Sequence, residues 1–333
     1  MSSPVKQVRI GVLAYPGCLR SSAVVPRDVL RIANALGNYR PAGARVHFDS
    51  AWLGVRGEPS LTVDGLSFAL EPLAGAALDA LILPAIAHDS PRDVAQVLDA
   101  LGPEQAALPV FLAGGALLVS SCSSTCLVAR AGLLQGRSAT TSWWLSAWFR
   151  QHYPGVALDA EALVVRDGPF VSSGGFGSTL DLALWLVGHF GGEELRQLTA
   201  KVLVMDANRA SQAPYIADAI VAQGGHPTIE RARRWLNVRL AQSWTMAELA
   251  AHCHTSQRTL LRRFQDALGH SPVQYAQQLR VERAKGLLET TRLSLEAITA
   301  RCGYEDVASF SKVFKRWTTL TPREYRQRFA LGL

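Results

Sequence analysis

The chain has 333 residues, 48% of them hydrophobic and 18% charged, which is enough for two domains with cores of their own. Its five cysteines are odd in number and scattered, which excludes a disulfide framework and fits reduced thiols in a cytoplasm. The net charge of +7 is uneven, −2 over residues 1–227 and +9 over residues 228–333, so any phosphate-binding charge is confined to the last third.

No apolar run follows the opening Met1-Ser2-Ser3-Pro4, so export is not expected. Residues 8–14 form a short apolar run closed by Tyr15-Pro16-Gly17, which reads as a buried strand and a turn. A helix is predicted over 24–36, strands over 46–53 and 78–83, and a further helix over 93–101. The segment between Glu104 and Arg130 is uncharged for 25 residues, the length of a membrane span. Pro109, Gly114, Gly115 and the hydroxyl cluster of residues 120–125 argue instead for a buried element, a turn, a strand over 116–121 and another turn. Strands alternating with helices predict a parallel sheet covered on both faces.

Cys122 stands where that strand turns into a helix, the position of a nucleophile elbow, where helix N-terminal amides would favour a thiolate. Ligands of doubly wound sheets bind outside the carboxyl ends of the strands, so a pocket is expected among Tyr15, Cys18, Ala85, Cys122, Ser123 and Ser124. Trp143 and Trp144 could wall it.

The stretch Ser121-Cys122-Ser123-Ser124-Thr125, then residues 131–144 through Ser142-Trp143-Trp144, resembles the PfpI-type, class I glutamine amidotransferase-like domain. So does Asp181-Leu182-Ala183-Leu184 after Ser172-Ser173-Gly174-Gly175. The resemblance implies an α/β doubly wound, flavodoxin-like N-terminal domain. The catalytic equipment departs from it. Ser21-Ser22 stands where the enzymes carry an acid, Ser124 replaces the elbow glycine, and Ser142 replaces the histidine before the tryptophan. His152 lies in a helix end and turn, with no spacing that ties it to the thiol. Cys122 therefore marks a sensing pocket rather than a catalytic centre, with no cofactor expected; an amidase, glyoxalase or protease carrying a DNA-binding appendage is the competing reading.

A strand and helix follow over 172–190, then a Gly191-Gly192 break and a helix over 193–205. The segment from Asn208 to Pro214 resembles one found in regulators that fuse these two domains, and Gln223-Gly224-Gly225-His226-Pro227 is a domain break. The boundaries are thus 1–222 for the sensing and dimerisation domain, 223–228 for the linker and 229–333 for the remainder.

After a helix over 230–240, one unit occurs twice. Ser271-Pro272-Val273-Gln274-Tyr275 closes the first copy and Thr321-Pro322-Arg323-Glu324-Tyr325 the second, fifty residues on, with Phe264 and Phe314 in matching places. In the first copy Thr245 and Glu248 form a capping box ahead of Met246, Leu249, Ala250 and Cys253. His254-Thr255 turns the chain, Ser256 caps a second helix, and Leu260, Leu261, Phe264 and Leu268 face inward, with Gly269 as the helix stop. The second copy runs from Ser294, turns at Gly303-Tyr304 and continues through Val307, Phe310, Val313 and Phe314. Two short helices with a cationic outer face on the second form a helix-turn-helix, whose recognition helix enters the DNA major groove.

Ser256-Gln257-Arg258-Thr259-Leu260-Leu261-Arg262-Arg263-Phe264, Gly303-Tyr304, Ser309-Phe310-Ser311-Lys312-Val313-Phe314-Lys315 and both closures resemble the AraC/XylS-type DNA-binding domain. The resemblance implies an all-α C-terminal domain holding two helix-turn-helix units on one linking helix, here 272–289. Thr299 replaces its usual alanine and Thr319 its helix-ending glycine. Base contacts are expected from Gln257, Arg258, Thr259 and Arg262 on one helix and Ala308, Ser309 and Lys312 on the other, with phosphate contacts from Arg263, Lys315 and Arg316. The expected partners are double-stranded operator DNA, a small-molecule effector and a second copy of the chain, with RNA polymerase open as a fourth. No metal is expected: Cys253 of His252-Cys253-His254 falls on an inward face, and no second cluster has ligand spacing.

Overall fold

The computed structural model describes residues 5–206, 209, 211–215, 227–268 and 270–330. The chain divides into two compact units, residues 1–212 and 213–333. Of the linker expected at 223–228, residues 223–226 lie outside the described residues, and so do Asn208, Ala210 and Gly269.

In the first unit the strands are β1 (Lys6–Leu13), β2 (Val46–Gly54), β3 (Ser60–Val63), β4 (Leu66–Ala69), β5 (Glu71–Pro72), β6 (Ala80–Leu83), β7 (Leu117–Ser121), β8 (Ser138–Ala139), β9 (Ala157–Leu158), β10 (Val164–Asp167) and β11 (Phe170–Ser173). Seven of them form one sheet in the order β10-β11-β7-β6-β1-β2-β5, parallel except for the β10–β11 hairpin. β1 sits between β6 and β2, in register from Lys6 opposite Val46 to Leu13 opposite Leu53. Central parallel strands are covered on both faces and so need apolar residues throughout; Val12 and Leu13 of β1 and Ala80 to Leu83 of β6 are accordingly all buried.

The helices are α1 (Arg20–Gly37), α2 (Pro91–Ala100), α3 (Gly102–Leu112), α4 (Thr125–Arg130), α5 (Ser146–His152), α6 (Ser178–Gly191) and α7 (Glu193–Val202). α1, α6 and α7 pack on one another, and α4 touches α2 and α3 as a second group. The doubly wound α/β expectation is met. The uncharged segment resolves into most of α3, then β7, a turn and the start of α4. Among the described residues no helix is long and apolar enough to cross a membrane.

The second unit is helical: α8 (Pro227–Val238), α9 (Met246–His252), α10 (Gln257–Leu268), α11 (Pro272–Thr290), α12 (Leu295–Arg301), α13 (Val307–Thr318) and α14 (Pro322–Phe329), with a short turn over Ala213–Tyr215. Two cores form along α11. One gathers Ile229, Leu236, Leu249, Leu260, Phe264 and Tyr275; the other gathers Val281, Leu288, Ile298, Phe310, Phe314 and Tyr325. A fully buried phenylalanine such as Phe264, Phe310 or Phe314 contributes about 2–3 kcal/mol. The tandem helix-turn-helix reading is met, and α11 is the linking helix.

Candidate nucleic-acid interface

The caps fix where each helix of the tandem pair begins. The Thr245 hydroxyl accepts from Glu248 N at 3.3 Å while Glu248 Oε2 accepts from Thr245 N at 2.7 Å, the capping box of α9. Ser256 Oγ accepts from Thr259 N at 3.2 Å to open α10, and Asp306 Oδ1 accepts from Ser309 N at 2.7 Å to open α13. Between the helices the chain must reverse through a left-handed residue. His254 takes that place in the first unit at φ 51°, Gly303 in the second at φ 76°. From there to the cap residue the first turn runs 254–256 and the second 303–306, one residue longer.

With the starts fixed, the outward faces follow. Gln257, Arg258 and Arg262 are exposed on α10, and Ala308, Ser309, Lys312, Lys315 and Arg316 are exposed on α13. Thr259 is half-buried and its hydroxyl is engaged by Ser256 at 2.9 Å. The ion pairs of this unit, Arg233–Glu230 and Lys285–Glu282, lie on α8 and α11; among the described residues none engages Arg258, Arg262, Lys312 or Lys315. Exposed cations held in no ion pair among the described residues, on the second helix of each copy, are what a polyanion requires.

Two residues sit differently from the sequence expectation. Arg263 is half-buried and donates from Nη1 to Thr228 Oγ1 at 2.6 Å, so it is held against α8. Leu261, expected inward, is 43% exposed, because Leu260, Phe264 and Leu268 already fill the inner stripe of α10 and the adjacent position points out. Arg316 donates to Gln277 Oε1 of α11 at 2.5 Å, a contact that the repeat pattern could not reveal.

Sequence reasoning also missed the joint between the two helix-turn-helix units. Arg280 of α11 donates from Nε to the Leu240 carbonyl at 2.8 Å and lies 5.3 Å from the Tyr304 ring centroid. A Cβ on Gly303 would stand 2.7 Å from Ala241 Cα, so glycine is needed there for close approach as well as for its φ. These contacts tie the segment after α8 to α11 and to the turn that leads into α13.

In the α/β unit the carboxyl-end loops do converge. Ala87 N donates to Gly17 O at 2.8 Å and Leu19 N to Ala85 O at 2.6 Å, while Ser123 Oγ accepts from Ile86 N at 2.9 Å. Tyr15 Oη donates to the Pro84 carbonyl, and Ser124 Oγ donates to Leu83 O at 2.7 Å. Tyr15, Cys18, Ala85, Cys122, Ser123 and Ser124 are all buried, and the Tyr15, Ser123 and Ser124 hydroxyls are engaged by the backbone of Leu83, Pro84, Ile86 and Ser121. None of the six lines either of two larger cavities in this unit. One, of about 650 Å³, lies at the amino ends of β6 and β7 beside Val110 and Phe111; the other, of about 570 Å³, lies between β10, α6 and α7 around Trp185 and Arg209. Trp144 borders the converging loops, donating from Nε1 to His88 Nε2 at 3.3 Å.

Cys122 has the backbone of an elbow, at φ 56°, but the residue is buried, with 3% of it exposed. Burial pushes its pKa up, against the smaller opposing pull of the Ser142 hydroxyl and of Ser123. The thiolate expected from helix amides is therefore not favoured. Burial outweighs the Ser123 backbone amide, and Cys122 to Ser124 form a tight turn ahead of α4, which runs from Thr125 to Arg130. Among the described residues no cluster of His, Cys, Asp and Glu could hold a metal ion.

A family profile described as a helix-turn-helix domain matches residues 249–328. The transcriptional regulator GbdR of Pseudomonas aeruginosa is 29% identical over 66% of this chain, a match that spans 59% of GbdR. CdhR, a transcriptional regulator of the same species, is 28% identical over 94% of this chain and 90% of its own length. The α/β unit shares its fold with a protein of Vibrio parahaemolyticus described as a candidate transcriptional regulator, at 21% identity and a TM-score of 0.50 over 60% of this chain and 100% of that one. The chain thus carries an AraC-type helix-turn-helix domain over residues 249–328, is similar to the transcriptional regulators GbdR and CdhR, and joins that domain to an N-terminal α/β unit with the fold of the Vibrio protein.

Proposed function

We propose that the protein is a sequence-specific DNA-binding transcription regulator of the cytoplasm, acting as a dimer and controlled by a small molecule that its non-catalytic α/β domain senses. The observation that carries this reading is the pair of capped recognition helices, α10 and α13, with Arg258, Arg262 and Lys312 exposed and in no ion pair among the described residues. Arg258 and Arg262, four residues apart on one face, suit bidentate contact with guanine; Ala308, Ser309 and Lys312 are their counterparts on the second helix. Lys315 and Arg316 suit phosphates. Effector binding would shift the population of dimers whose DNA-binding units are spaced for the operator.

A non-catalytic α/β domain is supported by the buried, proton-retaining Cys122 and by serines at the positions of the missing acid and histidine. The test compares full-length protein on a duplex carrying a selected site with a random duplex of equal length at matched salt. Preference for the selected site of about a thousandfold or more is expected. Equal affinity for both would overturn the reading.

A further inference from the structure

We propose that Leu261 is a specificity determinant that reads the 5-methyl group of a thymine in the major groove. The inference rests on the DNA-binding reading above and goes beyond its polar contacts. Leu260 and Phe264 of α10 are fully buried, yet Leu261 is 43% exposed. Its neighbours one turn away on the surface are Gln257, Arg258 and Gln265, and Arg262 follows it directly; all four are exposed. An isolated exposed leucine is ordinary on a protein surface. This one stands amid the exposed residues of α10, in sequence between the guanidinium groups of Arg258 and Arg262.

The partner chemistry follows from what the groove offers. Base edges in the major groove present hydrogen-bond donors and acceptors, and the single apolar group among them is the thymine methyl. A leucine held between arginines that reach for guanine would be brought to the adjacent base step and would have only that group to bury against. The equivalent position of α13, fifty residues on, is Ser311, so the methyl contact belongs to the first recognition helix alone.

The test uses full-length protein and a duplex selected by it, with each thymine replaced in turn by deoxyuridine, which removes the methyl and keeps the pairing. One replacement, or two adjacent ones, should weaken binding about three- to fivefold, the yield of burying one methyl-sized group. In Leu261→Ala, binding to the thymine duplex should fall by a similar factor and the same replacement should have no further effect. If no deoxyuridine position couples to residue 261 while Arg262→Ala still relaxes the preference, the thymine assignment is overturned and the regulator reading stands. If Leu261→Ala weakens thymine and deoxyuridine duplexes alike, the leucine acts elsewhere, as on a protein partner, and the assignment is again overturned. If selection yields no preferred site at all, the reading beneath it falls as well.

Discussion

A cysteine attacks as its thiolate, so its reactivity follows its pKa and its access to solvent. At Cys122 both are adverse, since burial raises the pKa and leaves 3% of the residue exposed. With native protein at pH 7.5, iodoacetamide should leave Cys122 unmodified over hours, and peptide mapping should show it alkylated only once denaturant is added. Fast modification below pH 8 would restore the enzyme reading. Because the folded pKa lies above that of an unfolded thiol, the thiol's contribution to stability is full below about pH 8.5 and is lost as pH rises through the folded value. On the DNA side, Arg262→Ala should cost about 1–3 kcal/mol on a selected site and relax its sequence preference, whereas Lys315→Ala should weaken specific and random duplexes alike. Competition titrations separate the two, and equal losses on both duplexes for both variants would refute the assignment. Arg258, Arg262 and Lys312 were legible because exposure on a short capped helix follows from spacing. Leu261 and Arg263 were not, because their directions depend on how α10 rolls against α8.

At the scale of elements, the first copy's caps were legible: Thr245 and Ser256 each accept the amide that the pattern assigns them, and Ser294 and Thr321 do the same in the second copy. The two family departures resolve differently. Thr299 is buried, yet its hydroxyl donates to Leu295 O at 2.8 Å, so the extra oxygen is satisfied within its own helix. Thr319 ends α13 at φ 63°, where its branched Cβ is strained. Thr319→Gly should therefore stabilise the second unit by about 1 kcal/mol, raising its thermal transition by about 3 °C in the full-length chain followed by far-ultraviolet circular dichroism. An unchanged or lower transition would show that the left-handed cap is not strained. Strand β10 and the β3–β4 pair escaped the sequence reading because strands of four residues are too short to show a period. Helix α3 escaped because Pro109 lies inside it and its residues alternate without a polar face.

For the whole molecule, the charge division anticipated the division of labour: the unit that carries the +9 excess holds the two recognition helices. The parallel sheet, the converging loops and the helical tandem were legible because each rests on short-range signals repeated along the chain; the strand order was not. The burial of Cys122 was not, because it depends on contacts between separate segments: the Ser123 hydroxyl bonds to Ile86 and the Thr141 hydroxyl to the Cys122 carbonyl. The central claim is that this chain selects particular sequences. Its most direct measurement is recovery of bound fragments from sheared source genome by full-length protein, at a salt concentration where phosphate contacts alone hold weakly. The account predicts a few fragments sharing one motif. Uniform recovery across the genome would contradict it.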